Sequence, residues 1–226
     1  MNITIIPGSY KPPHKGHLSL IEKLIKNNSK IIIIISKKER PLDSRFLYPN
    51  EKSKEELQSA LIFYFPEDKN KILSMTKSEI IKNINEMIHK NIIKSINSDQ
   101  SLKVWKIYIK YLKEKYLNIP KIELKIPETN NIIREVNKTI IESFKERPKK
   151  IILMKSMKNK DNTRFDYFED HYKKYVETVL FPNIKDIDAT GMRESILNSN
   201  KDKFIKYLPN NLNPKYINKI WKIVNT

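Results

Sequence analysis

The sequence predicts an α/β fold in which a parallel sheet is covered by helices on both faces. Two observations carry this prediction: short, Ile-rich runs of strand length, and stretches of helical periodicity that lie between or after them. Strands that alternate with helices imply βαβ units with right-handed crossovers, and near-continuous apolar runs are typical of parallel strands buried on both faces. We therefore expect a five-stranded parallel sheet.

The elements are predicted in the following order along the chain. The strands are expected at NITIIP (Asn2–Pro7), SKIIIIIS (Ser29–Ser36), KIELKIP (Lys121–Pro127), KKIILMK (Lys149–Lys155) and NIKDIDA (Asn183–Ala189). Helical periodicity begins at Gly16, Ser53, Asn131 and Arg164, and the last of these stretches runs to Phe181. Residues 71–118 show two helical stretches without a convincing strand, which indicates a helical insertion. Residues 200–226 predict a small helical cap, interrupted at Pro209.

Composition indicates one folded domain, residues 1–226, because 39% hydrophobic and 31% charged residues lie in the globular range. The chain has no cysteine, which excludes disulfides, thiolate zinc sites and a cysteine nucleophile. No apolar run is long enough to span a bilayer and no signal peptide is visible, so we expect a soluble cytoplasmic protein.

The net charge of +18 would ordinarily suggest a nucleic-acid partner. Only six of the 44 basic residues are arginine, however, and Lys, Ile and Asn are abundant throughout. We interpret the charge as a solvated, lysine-rich surface that would also attract phosphorylated small molecules.

A loop with the sequence PGSYKPPHKGH follows the first predicted strand and leads into a helix. In open α/β sheets, ligands bind beyond the carboxyl ends of the strands, where free N–H groups at a helix start attract phosphate. We expect Gly8 to let the backbone turn tightly, and Gly16 to leave room for the ligand. His14 and His17 would then point toward the same anion.

These residues resemble the HxGH signature of the nucleotidylyltransferase superfamily, whose pattern is Gly-x-aromatic-x-Pro-x-His-x-Gly-His. The pattern is matched by Gly8, Tyr10, Pro12, His14, Gly16 and His17. Near the other end, Thr190 and Arg193 resemble the family's Ser/Thr-x-x-Arg element, although Asp188 and Ala189 replace the Ser or Gly that usually precedes it. The resemblance implies a Rossmann-like fold.

The resemblance also implies a reaction in which an acceptor's phosphate oxygen attacks the α-phosphorus of a nucleoside triphosphate and releases pyrophosphate. His14 and His17 would donate hydrogen bonds to the α and β phosphates, Arg193 would hold the β and γ phosphates, and Thr190 would add a neutral donor. Mg²⁺ would be bound through the substrate phosphates. Further phosphate- or nucleotide-binding residues are expected at Gly8, Ser9, Tyr10, Gly16, Ser156 and Lys158.

The acceptor is expected near Lys37 and Lys38, just past the second strand. Asp161 and Arg164 would touch the acceptor or pair with each other. The loop is most similar to that of nicotinamide-nucleotide adenylyltransferases, and the Arg-Thr-x-Gly-Ile-Ser-Thr string of cytidylyltransferases is missing, so ATP is the expected donor. A cytidylyltransferase, or a non-catalytic protein that binds nucleotide or nucleic acid, is the alternative. A homo-oligomer is compatible with the sequence.

Overall fold

The computed structural model describes residues 1–26, 30–156, 163, 165–181, 187 and 189–226, with the side chain of Ser156 excepted. Its main sheet has five strands in the order β5-β2-β1-β6-β7, and every neighbouring pair is parallel. The strands are β1 (Ile3–Gly8), β2 (Lys30–Ile35), β5 (Ile122–Lys125), β6 (Ile151–Ser156) and β7 (Val176–Phe181). The predicted Rossmann-like α/β fold is confirmed.

Helices cover both faces of this sheet because successive side chains of a strand point to opposite sides. On one face, Ile31, Ile33 and Ile35 pack in a hydrophobic cluster with residues of α1 (Lys15–Ile25). On the other face, Ile32 and Ile34 pack with residues of α6 (Ile132–Phe144). The run of isoleucines in β2 is therefore buried on both sides, as its continuous apolar character indicated.

The fifth strand lies earlier in the chain than predicted. β7 pairs with β6 from Ile151 opposite Val176 to Ser156 opposite Phe181, within the stretch that was expected to be helical. The helix there, α7 (Asp166–Tyr172), ends before Lys173, whose φ of 30° breaks the helix. Of the predicted strand at 183–189, residues 183–186 and 188 lie outside the described residues, and Ala189 begins the next helix, α8 (Ala189–Leu197).

The predicted insertion at 71–118 combines two parts that pack differently. Its second half forms α5 (Ser98–Lys115), whose Val104, Trp105 and Tyr108 belong to the main hydrophobic cluster beside the sheet. Its first half belongs to a separate helical unit, which begins before residue 71 and is bounded by two short antiparallel strands, β3 (Arg40–Pro41) and β4 (Ser95–Ile96). Between them lie α2 (Lys54–Tyr64), α3 (Lys69–Ser74) and α4 (Lys77–His89), which share a hydrophobic cluster of their own.

The C-terminal segment is helical, as predicted. It contains α9 (Lys201–Ile205) and α10 (Pro214–Val224). Phe204, Ile220 and Val224 are buried in the main cluster, so this segment completes the core on the α1 side of the sheet. In the described ranges, no helix combines the length and the apolar composition that a membrane span needs.

Candidate active site

The loop between β1 and α1 turns at Tyr10 and not at Gly8. Tyr10 has a φ of 51°, whereas none of the chain's glycines, all of which are described, has a positive φ. Gly8 is needed for a different reason: a Cβ atom there would lie 2.6 Å from Cζ of the Tyr10 ring. The expected role of Gly8 in the tight turn is therefore wrong, and the glycine instead makes room for the tyrosine ring.

The Tyr10 side chain lies in the core behind the site. Its hydroxyl donates a hydrogen bond to the carbonyl oxygen of Ile6 at 3.0 Å, and burial raises the pKa of that hydroxyl far above its usual range. The ring makes edge contacts with His17, at 4.9 Å between centroids, and with Trp105, at 5.4 Å. Tyr10 thus supports the histidine ring, and its hydroxyl is engaged with the backbone.

His14 and His17 lie together at the start of α1. Their rings stack with 3.7 Å between centroids and an interplanar angle of 27°. The backbone N–H of His14 donates to Nδ1 of His17 at 3.1 Å, so Nδ1 is an acceptor and the proton of a neutral His17 ring belongs on Nε2. This arrangement gives His17 an N–H donor on the edge of the ring away from the helix backbone.

Arg193 approaches the same loop from the far end of the chain. Its guanidinium donates to the carbonyl oxygen of Lys11 at 3.2 Å through Nη1 and to Oγ1 of Thr190 at 3.0 Å through Nη2. The arginine is 6% exposed and lies at the middle of α8. The fold therefore brings Thr190 and Arg193 beside the histidine loop, from which they are separated by most of the sequence.

The C-terminal segment joins the two helix starts at this site. The N–H of Lys15, in the first turn of α1, donates to the carbonyl oxygen of Tyr207 at 2.8 Å. A Cβ atom on Gly191, in the first turn of α8, would lie 2.2 Å from the Tyr207 hydroxyl oxygen. Sequence reasoning missed Tyr207 and Gly191, although Gly191 is one of only three glycines in the chain.

Lys11 is a third residue that sequence reasoning missed. Its side chain is 1% exposed, and its ammonium donates to the carbonyl oxygen of Ser36, just past β2, at 2.6 Å. Burial, assisted by the charge of Arg40, lowers the pKa of Lys11 from 10.5 to about 8. No pattern in the sequence separates this lysine from the many exposed ones.

The two lysines expected at the acceptor follow β2 at the carboxyl edge of the sheet, and both are exposed. The ammonium of Lys37 donates to the carbonyl oxygen of Glu128 at 2.8 Å. A basic residue that follows β2 and does contact the loop is Arg40, whose Nε lies 3.4 Å from Oγ of Ser9 and whose guanidinium stacks 4.7 Å from the centroid of Tyr48. The scarcity of arginine in this chain is the signal that could have singled it out.

The remaining predicted residues can be placed only in part. Gly16 lies in the first turn of α1 between the two histidines. The backbone of Ser156 ends β6 at the carboxyl edge of the sheet. Lys158, Asp161 and Arg164 lie outside the described residues.

A five-stranded parallel sheet with a His-x-Gly-His loop after its first strand defines a protein of the nucleotidylyltransferase class. Residues 5–164 match the family model described as cytidylyltransferase-like, and the chain belongs to that family. Family membership supports a nucleotidyltransferase activity on a nucleoside triphosphate. A search of curated proteins found no match. Thr190 and Arg193 lie beyond the matched range, so the family model does not connect them with the site, whereas their position in the structure does.

Proposed function

We propose that this protein is an adenylyltransferase that moves AMP from ATP to a small phosphorylated acceptor and releases pyrophosphate. The observation that carries the proposal is the convergence of the stacked pair His14–His17 with Arg193 on one loop at the carboxyl end of β1. The choice of ATP rests on the Thr190–Arg193 element and on the missing cytidylyltransferase string.

The proposed reaction needs no nucleophile from the protein. An oxygen of the acceptor's phosphate forms a bond to the α-phosphorus of ATP, the bond from that phosphorus to the bridging oxygen breaks, and pyrophosphate leaves with the bonding electrons. The protein has to align the attacking and leaving oxygens and to stabilise the charge that grows on the phosphates. His14 and His17 donate to the α and β phosphates, and Arg193 holds the β and γ phosphates.

The side chains around the loop suit a magnesium ion that arrives with the substrate. His14, His17 and Arg193 all carry N–H donors, which suit direct binding to phosphate oxygens. Among the described residues, no three His, Asp or Glu side chains are grouped so that they could hold a metal. Mg²⁺ prefers oxygen ligands and is commonly bound through substrate phosphates, where it neutralises part of their charge.

The nucleotide and the acceptor are assigned to neighbouring parts of the same sheet edge. We assign the base and ribose to the end of β6, near Ser156 and Lys158, and the acceptor to the end of β2, near Lys37 and Lys38. Arg40 joins the acceptor side because it contacts Ser9 of the loop. In this assignment residues 1–226 form one nucleotidylyltransferase domain.

The proposal is tested by measuring pyrophosphate release with each of the four nucleoside triphosphates, in the presence of Mg²⁺, against a panel of mononucleotides, sugar phosphates and phosphorylated alcohols. We expect release with ATP and one class of acceptor. The His14→Ala/His17→Ala double variant, which removes both ring donors, is the matched inactive control. Release with CTP alone would correct the nucleotide, and no release with any pair would contradict the proposal.

A further inference from the structure

Lys11 has a buried cationic side chain in the site loop that the proposed reaction does not use. Its ammonium carries three N–H donors, and within the described part of the chain one acceptor, the carbonyl oxygen of Ser36, lies at hydrogen-bond distance. Removing an ammonium group from water is unfavourable unless partners compensate for the lost hydration. An apolar side chain of similar length would therefore have a smaller desolvation penalty at this position than the Lys11 ammonium has.

The two polar ends of Lys11 connect parts of the site that are distant in sequence. The side chain ends on Ser36, which is itself held at the sheet edge because its N–H donates to the carbonyl oxygen of Gly8 at 2.9 Å. The backbone carbonyl oxygen of Lys11 accepts from the guanidinium of Arg193 at 3.2 Å. One residue thus joins the end of β2, the phosphate loop and the arginine of α8.

We propose that Lys11 is a positioning residue for nucleotidylyl transfer, whose ammonium fastens the phosphate loop to the end of β2 so that its carbonyl oxygen orients Arg193 toward the phosphates. This inference rests on the proposed function, because it assigns Lys11 a task only if Arg193 binds a phosphate chain. Because the guanidinium is held at two of its nitrogens, by Lys11 and by Thr190, its plane has a defined orientation beside the loop.

The charges around Lys11 come from two parts of the chain and do not form a simple ion pair. Arg40 and Glu39 follow β2, and Asp99 lies in the first turn of α5; Arg40 disfavours the charged ammonium, while Glu39 and Asp99 favour it. Neither carboxylate is a hydrogen-bond partner of the ammonium in the described contacts. A role in stability alone would favour a direct ion pair, such as the one that Lys30 makes with Glu123 at 3.2 Å.

The test compares Lys11→Met, Arg193→Lys and the double variant with the parent protein. The probe is inorganic tripolyphosphate, whose binding is measured by calorimetry, and thermal unfolding is followed in parallel. We expect each single variant to bind tripolyphosphate about tenfold more weakly, since each disturbs the same charge-assisted contacts. The double variant should then bind within about threefold of Arg193→Lys, because the two residues act through one contact.

Lys30→Met is the matched control, because Lys30 is also buried but begins β2 at the opposite end of that strand. It should lower the melting temperature, since it leaves Glu123 without one of its two lysine partners, and it should not change tripolyphosphate binding. Lys11→Met should melt at the parent temperature or above it.

Three results would overturn the inference while leaving the proposed function intact. The first is parent-like tripolyphosphate binding by Lys11→Met, and the second is a clear drop in the melting temperature of that variant. The third is an additive loss of binding in the double variant, which would mean that Lys11 acts independently of Arg193. Failure of the parent protein itself to bind tripolyphosphate, together with no pyrophosphate release, would instead contradict the proposed function and this inference with it.

Discussion

The two ring nitrogens of His17 have different roles in our proposal: one caps the helix and the other binds phosphate. Nδ1 accepts the N–H of His14 at 3.1 Å and so caps the start of α1, which places the proton of a neutral ring on Nε2. The ring is held from behind by the edge contact with Tyr10. The capping and the proposed phosphate-binding functions can therefore be separated by a substitution that keeps only one of them.

We expect His17→Asn to lower nucleotidylyl transfer by roughly 10² to 10³ while leaving the melting temperature within a few degrees of the parent, since loss of one preorganised donor has effects of that size. The asparagine amide oxygen takes the place of Nδ1, but the side chain is too short to replace Nε2. Circular dichroism and the pyrophosphate assay measure the two outcomes. His89→Ala, at an exposed position in α4, is the control and should change neither. Parent-like turnover by His17→Asn would remove this histidine from the site.

The buried ammonium of Lys11 makes stability depend on pH in the alkaline range. Its pKa is about 8 in the folded protein and 10.5 as the ordinary value, so between these two pH values the unfolded chain holds the proton that the folded protein has lost. The free energy of unfolding should therefore rise with pH in this window. The penalty for burying the charge is present in full below about pH 8.

We expect the free energy of unfolding to rise by roughly 3 kcal/mol from pH 8 to 10.5 because of this one group. It is measured as the difference between the parent and Lys11→Met in denaturant unfolding at several pH values, because other lysines and tyrosines titrate equally in both proteins. The difference should shrink as the pH rises. A difference that stays constant from pH 7 to 10.5 would show that Lys11 is not buried as a charged group.

At the scale of elements, both ends of the site depend on a glycine that leaves room for a tyrosine. Gly8 at the end of β1 faces the ring of Tyr10, and Gly191 in α8 faces the hydroxyl of Tyr207. Tyr10 is the more tightly enclosed of the two, because it is buried between β1, α1 and α5. A side chain added at Gly8 must therefore displace the ring, and with it the support of His17.

We expect Gly8→Ala to destabilise the protein by about 1–3 kcal/mol, the usual range for overpacking, and to lower activity as well. Tyr10→Phe is the matched variant: it keeps the ring and loses only the hydrogen bond to Ile6, so it should lose about 1 kcal/mol of stability and retain most of its activity. Denaturant unfolding and the pyrophosphate assay check both variants. A severe loss of activity in a folded Tyr10→Phe protein would instead support a direct role of the hydroxyl in catalysis.

For the molecule as a whole, the C-terminal segment is part of the core. Phe204, Leu208, Leu212, Ile220 and Val224 are all buried in the cluster that also contains residues of α1, α5 and β2. Tyr207 additionally holds the first turn of α1 through the N–H of Lys15. The segment therefore closes one face of the sheet and contacts the start of the helix that carries His17.

Removal of residues 200–226 should prevent cooperative folding, because it uncovers large apolar side chains worth about 1.5–3 kcal/mol each when buried. Solubility and the presence of a sharp thermal transition are the measurements. Removal of Asn225 and Thr226 alone, both exposed and beyond α10, is the control and should have little effect. A cooperative transition near the parent temperature in the longer truncation would show that this segment is dispensable.

The part of the fold that could be predicted rests on local patterns. The Ile-rich runs at β1, β2 and β6 are compatible only with buried strands, because they are short and apolar on both sides. The stretch around β7 is compatible with a strand or a helix, because Tyr172, Val176 and Val179 have spacing that also fits a helix. Only the pairing of Val176 with Ile151 in the sheet decides between them. Likewise, α5 has the periodicity of any amphipathic helix, and its place in the main core follows from what it packs against.

What the sequence by itself determined is the class of fold, the position of the loop after β1 and the identity of the residues proposed to bind phosphate. His14 and His17 are close in the chain, so the geometry of a helix start is enough to bring them together. Contacts between residues that are far apart in sequence were decided by the tertiary structure alone. They are Arg193 with Lys11, Lys11 with Ser36, Arg40 with Ser9 and Tyr207 with Gly191. The physical reason is that local backbone preferences act over a few residues, whereas these contacts depend on how completed elements pack, and no sequence pattern records which of many lysines that packing buries.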